Sequence, residues 1–104
     1  MKVKWTHTAT KHLKGIYGYI AADSPQYARR MIDRITRRSQ QLAAFPESGG
    51  VVAEYNDSSI REALEGPYRI IYRVLSDRVD VVAVIHGARQ LPDDIDADLS
   101  GDQQ

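Results

Sequence analysis

Tyr68-Arg69-Ile70-Ile71-Tyr72-Arg73-Val74 and Val79-Asp80-Val81-Val82-Ala83-Val84-Ile85-His86-Gly87-Ala88-Arg89 are two β-rich runs parted by a tight polar break at Ser76-Asp77-Arg78. That pattern predicts a β-hairpin. The second run is almost wholly apolar, which fits a central strand buried on both faces. It stops at a His, a Gly and an Arg. Polar groups where a buried strand emerges serve either as a site or as a plug, and the function of the chain turns on which.

Upstream of the hairpin, residues 60–64 read as a further strand, with Glu65-Gly66-Pro67 as the turn that follows it. Residues 51–55 are a candidate strand, and Asn56-Asp57-Ser58-Ser59 a turn. Phe45-Pro46-Glu47-Ser48-Gly49-Gly50 is a breaker cluster that must end whatever precedes it. What precedes it is helical. Ser24 and Pro25 supply a cap and a first-turn proline for a helix running to about Ala44. Its apolar stripe is Ala28, Met31, Ile32, Ile35 and Leu42, and its other face carries Arg29, Arg30, Arg34, Arg37 and Arg38. An earlier helix, capped by Thr8, presents Leu13, Ile16, Tyr17 and Ile20 as one stripe. Its Gly15 and Gly18 leave room for close packing of another helix. Residues 2–6 form a short strand expected to pair with the apolar last one. The order β-α-α-β-β-β-β predicts an α+β domain, an antiparallel helical hairpin on one face of a mostly antiparallel sheet.

One domain, residues 1–92, accounts for a chain of 104 residues. Cysteine is absent, which removes disulfides and thiolate chemistry. No leader-like or membrane-spanning apolar run is visible, so a cytoplasmic protein is expected. The zero net charge hides an asymmetry. All 14 basic residues but only nine of the 14 acidic ones lie in residues 1–89, a balance of +5; Asp93, Asp94, Asp96, Asp98 and Asp102 follow. The body therefore suits an acidic or polyanionic partner. The segment 93–104 reads as an acidic, flexible tail, with residues 96–104 disordered when free.

Metal and nucleophilic chemistry find no support. His7, His12 and His86 lie on separate elements without recognised ligand spacing. Gly49-Gly50 is not a phosphate loop, and no nucleophile elbow occurs. What remains is a polar set on the sheet: Arg61, Glu62, Arg69, Arg73, His86 and Arg89. Alternation puts Arg69, Ile71 and Arg73 on one face and Ile70 and Tyr72 on the other. Arg69 could grip a phosphate, or it could pair with Glu62 across the sheet and hold register. His86 could be a general base or a hydrogen-bonded corner group. Arg89, beyond the strand end, is placed to meet a carboxylate. The arginine face of the second helix is either a nucleic-acid patch or simply solvated.

Trp5, the helix ending at Tyr19-Ile20 before Ser24-Pro25, the Phe45-Pro46-x-x-Gly49 break, Arg61-Glu62, Tyr68-Arg69-Ile70-Ile71-Tyr72 and His86-Gly87-Ala88-Arg89 together resemble the ParE/RelE superfamily of type II toxins over roughly residues 3–90. The resemblance implies a small bacterial toxin encoded beside an antitoxin that wraps it. RelE-like members cut messenger RNA on the ribosome; ParE-like members poison DNA gyrase without hydrolysing anything. Arg69 and Arg89 match arginine positions of the cutting branch. Val51-Val52-Ala53-Glu54 lacks that branch's lysines, and no aromatic follows Tyr72. Only His86 or Glu54 is left to carry a proton. The resemblance therefore leans to the ParE-like branch: a gyrase inhibitor rather than an enzyme, without a cofactor. The alternatives are a ribosome-dependent endoribonuclease using Arg69, His86, Arg89 and Glu54, and a non-toxic remnant that only binds antitoxin. A ParD-like antitoxin is expected to bring acidic residues to Arg61, Arg73 and Arg89, in a heterotetramer or larger assembly.

Overall fold

The computed structural model describes residues 1–91 together with Ile95 and Leu99. Its elements are β1 (Lys2–Trp5), α1 (His7–Ala21), α2 (Pro25–Gln41), β2 (Gly50–Val51), β3 (Ile60–Glu65), β4 (Tyr68–Val74) and β5 (Arg78–His86). They build one five-stranded sheet in the order β1-β5-β4-β3-β2. Among the described residues only the β1–β5 pair is parallel. A parallel pair needs a long crossover, and the α1–α2 hairpin lies between these strands in sequence. The expected α+β arrangement and the pairing of first and last strands are both present.

β5 lies between β1 and β4 and is buried from Val79 to Ile85 apart from Asp80. Its side chains do not simply alternate. Ile71 pairs with Ala83 but Tyr72 pairs with Val81, so Val82 is an extra residue. The bulge sends Val82 and Ala83 to the same face, while Val81 and Val84 meet the helices. A run of consecutive apolar residues is what such a strand requires.

Each face has its own core. Met31 and Ile35 of α2, Leu42 just past its end and Ala9 of α1 pack on Tyr68, Ile70, Tyr72, Val79, Val81 and Val84. The other face gathers Ile60, Ile71, Val82, Ala83 and Ile85 under Val52 and Ile95, with Tyr55, Leu91 and Leu99 at its margin. Burial of these side chains supplies most of the folding drive.

The ends of several elements differ from expectation. Thr6, not Thr8, caps α1: its Oγ1 accepts from Ala9 N at 3.1 Å. Thr6 is the residue at which the chain leaves β1, and its own N–H still donates to Val81 O at 3.0 Å. Ser24 caps α2 as expected, accepting from Tyr27 N. α2 ends at Gln41 rather than Ala44, because Leu42 turns in to the core and the next amides bond three residues back. The candidate strand at 51–55 is only Gly50–Val51 followed by a 3-10 turn, Ala53–Tyr55. Val52 is fully buried on the second face, and that inward step cuts the strand short. Nothing packs against Gly15 or Gly18, so the expected helix–helix approach there does not occur.

The loop after α2 is fixed from the sheet. Tyr72 Oη donates to Pro46 O at 2.8 Å and accepts from Gly49 N at 3.0 Å. Gly49 is required: a Cβ there would lie 2.3 Å from Glu62 O and 2.6 Å from Tyr72 Oη. Gly66, at φ +56°, makes the two-residue β3–β4 turn possible.

The acidic tail departs from expectation at two positions. Ile95 is fully buried and Leu99 packs against the second core. The remaining positions of residues 93–104, where flexibility is expected, lie outside the described residues.

Candidate functional site

Arg69 shares the second face with Ile71, away from the helices. Its Nε donates to Glu62 Oε1 at 2.5 Å, across the β3–β4 ladder. Its two terminal nitrogens donate to both oxygens of Glu54 at 3.1 and 3.2 Å. The 3-10 turn carries Glu54 over the edge of the sheet to make this fork-to-fork contact. The Arg69 side chain is only 12% exposed. Its carboxylate bonds hold the guanidinium more firmly protonated than usual. Conversely, the Glu54 carboxyl sits below the usual carboxylate range, first because Arg69 donates to it. One guanidinium faces two carboxylates, so the group as a whole repels a phosphate.

His86 and Arg89 belong to a different place. Tyr68, which faces the helices, is the cross-strand partner of His86. Their rings meet edge to face, 5.8 Å apart at 80°. His86 Nδ1 accepts from Ala88 N at 3.2 Å, so the neutral ring carries its proton on Nε2. Between α1 and the end of β5 opens a cleft of about 760 Å³. Lys11, His12, Gly15, Ile16 and Tyr19 line one wall and Tyr68, Val84, His86 and Arg89 the other. Burial pushes the Tyr68 hydroxyl up, with the neighbouring Tyr27 and Tyr19 adding to it and Arg89 opposing.

The structure thus brings Arg69 and Glu54 together and places His86 with Arg89 around the cleft, separating the four nuclease candidates into two groups on opposite sides of the sheet. The three antitoxin candidates are also dispersed. Arg61 lies on the helix side, opposite Tyr72, and donates to Gly49 O at 2.8 Å and Ser58 O at 3.1 Å. Arg73 lies on the Arg69 face opposite Asp80, and its Nε is buried without a hydrogen-bond partner among the described residues. Arg89 is exposed. Among the described residues no three His, Cys, Asp or Glu side chains gather as a metal-binding group.

Sequence reasoning missed the α1 wall of the cleft. His12, Gly15, Ile16 and Tyr19 stand at i, i+3, i+4 and i+7, one step beside the apolar stripe. His12 has a structural duty as well. β1 stops opposite Val81, and His12 Nδ1 accepts from Val84 N at 3.3 Å, further along the same strand. Gly15 adds no side chain to the cleft.

The family described as the ParE toxin of the type II toxin-antitoxin system, parDE, matches residues 3–91. The chain belongs to the ParE toxin family. This ParE-family chain is 32% identical over 93 residues to the protein named "Putative toxin Y4kP" of Sinorhizobium fredii, covering 88% of this chain and 93% of that one. It is 35% identical over 89 residues to "Toxin RelE2" of Caulobacter vibrioides, covering 85% and 97%. A solved chain described as the chromosomal ParDE TA system from P. aeruginosa shares the ParE-family fold at TM-score 0.69 and 22% identity, covering 83% of this chain and 95% of that chain. The matched residues 3–91 stop short of Ile95 and Leu99, so these two side chains of the second core lie beyond the family match.

Proposed function

We propose that this ParE-family toxin arrests growth by inhibiting DNA gyrase and is neutralised by a ParD-like antitoxin. The observation that supports this reading is the state of Arg69. A nuclease would need that guanidinium free to stabilise a cleaved phosphodiester, with a proton carrier beside it. Arg69 is instead held by Glu54 and Glu62; of the two proton-carrier candidates, Glu54 is itself engaged by that guanidinium and His86 lies on the other side of the sheet. The arrangement is that of a scaffold, and a toxin that acts by binding a large target needs only a scaffold.

The antitoxin would meet Arg61, Arg73 and Arg89 with acidic residues, in a heterotetramer or larger assembly. Of the three, Arg89 stands exposed beside the cleft and is placed to pair first. Purified protein added to gyrase and plasmid is expected to suppress supercoiling or trap a cleavage complex, and the antitoxin to reverse this. Unaltered supercoiling with no trapped complex would overturn the reading.

The 35% identity to a protein named toxin RelE2 favours a second reading, a ribosome-dependent endoribonuclease. It predicts codon-positioned cuts in translated messages, and loss of growth arrest in both Arg69→Ala and His86→Ala. Arrest that persists in both variants would reject it.

A further inference from the structure

The gyrase reading gives no work to the outer face of α2. That helix holds five arginines, no lysine and one acid, Asp33. α1 holds Lys11 and Lys14 and no arginine. Ala28, Met31, Ile35, Ser39 and Leu42 are buried, which fixes the helix rotation and turns Arg29, Arg30, Arg34 and Arg37 outward. Arg34 bonds Glu65 at 2.9 Å through Nε, and Arg38 reaches Gln41. Arg29, Arg30 and Arg37 are exposed and make no hydrogen bond or ion pair among the described residues. Asp33 tempers this face without cancelling it.

We infer that the arginine face of α2 is a binding surface for the phosphate backbone of duplex DNA. The choice of arginine matters. Guanidinium groups match phosphate oxygens bidentately, and a face evolved only for solubility has no need to exclude lysine. The row also has the right reach. Arg29 to Arg38 spans nine residues at 1.5 Å each, about 13 Å, which is the rise of roughly four base pairs. An acidic protein is a poorer fit, because protein interfaces centre on buried apolar or aromatic anchors. Here the exposed large apolar residues other than Tyr27, namely Met1, Tyr17, Tyr19, Phe45, Val51 and Leu64, lie outside α2. Tyr27 is the single exposed aromatic on α2; it precedes Arg30 and Arg34 by three and seven residues, so it shares their face, but it is one aromatic at the N-terminal end of the row and not a central cluster of anchors. A single strand is also a poorer fit, since it would want aromatic platforms between the charges. The backbone contact reads no sequence; it would hold the toxin against DNA that a partner or target already grips.

The test uses the full chain, a fluorescent 30-base-pair duplex, and the triple variant Arg29→Gln/Arg30→Gln/Arg37→Gln. These side chains are exposed, so the variant should keep its far-ultraviolet circular dichroism; Arg29→Lys/Arg30→Lys/Arg37→Lys is the charge-preserving control if it does not. Measured against salt, the binding constant of the native chain is expected to fall steeply on a log–log plot. Each phosphate contact contributes a slope of about 0.9, so the glutamine variant should lose up to about 2.7 and the lysine variant keep most of it. No binding at 50 mM salt, slopes that agree between native and glutamine variant, or tighter binding to single-stranded RNA of equal length would each overturn the proposal. So would loss of antitoxin affinity in the glutamine variant with DNA binding intact. Gyrase inhibition is read separately, so either conclusion can fail alone.

Discussion

At the scale of a residue, Arg69 shows how one environment selects between two chemistries open to the same side chain. A guanidinium on a sheet can hold a phosphate or hold strands together, and the neighbours decide. Glu62 is reached diagonally across the ladder, and Glu54 arrives from a turn rather than from a strand. The pair has a pH signature. The Glu54 pKa is depressed, so its contribution is complete above the ordinary carboxylate range and fades as pH falls through the depressed folded value. A carbon-13 titration of the Glu54 carboxyl should give a midpoint below the ordinary glutamate value, and Arg69→Ala should return it towards that value. An unchanged midpoint in the variant would mean that the contact does not form in solution. Glu54 is exposed, so the effect on global stability should be small. The Arg69–Glu62 pairing was legible from strand alternation alone. Glu54 was not, because the 3-10 turn that delivers it depends on Val52 burying itself on the sheet.

At the scale of elements, the two faces of the sheet are closed in different ways. The helical hairpin covers one, as its stripe Met31, Ile35 and Leu42 requires. Val52, Tyr55, Leu91, Ile95 and Leu99 cover the other. Five aspartates disguise the last of these in the sequence, although Leu91, Ile95 and Leu99 recur every fourth residue. Composition reads that stretch as a solvated tail; the apolar face that needs cover makes Ile95 core and draws Leu99 against it. Ile95→Ala should therefore cost about 2–5 kcal/mol in urea unfolding, as for other buried aliphatic truncations. A loss below about 0.5 kcal/mol would show that the second face closes without it. The helix stripe was legible because its period is intrinsic to the helix. The bulge at Val82 and the cap at Thr6 were not, since both depend on where a partner strand begins and stops.

Across the whole molecule, charge and shape are divided by function. The arginines of α2 lie on the outside of the hairpin, the Arg69 cluster on the far face of the sheet, and the cleft with Tyr68, His86 and Arg89 between α1 and the end of β5. Among the described residues no helix is long and apolar enough to cross a membrane. The sequence by itself determined the order of elements, the hairpin, the central place of β5 and the superfamily resemblance, because hydrophobic period and turn chemistry act locally along the chain. Tertiary structure alone decided which polar residues meet. Arg69 and His86 lie 17 residues apart on adjacent strands, yet the parity of the pleat sends them to opposite faces. Lys11 and Tyr19, far upstream, join His86 at one cleft because β1 ends early and α1 crosses the open end of β5.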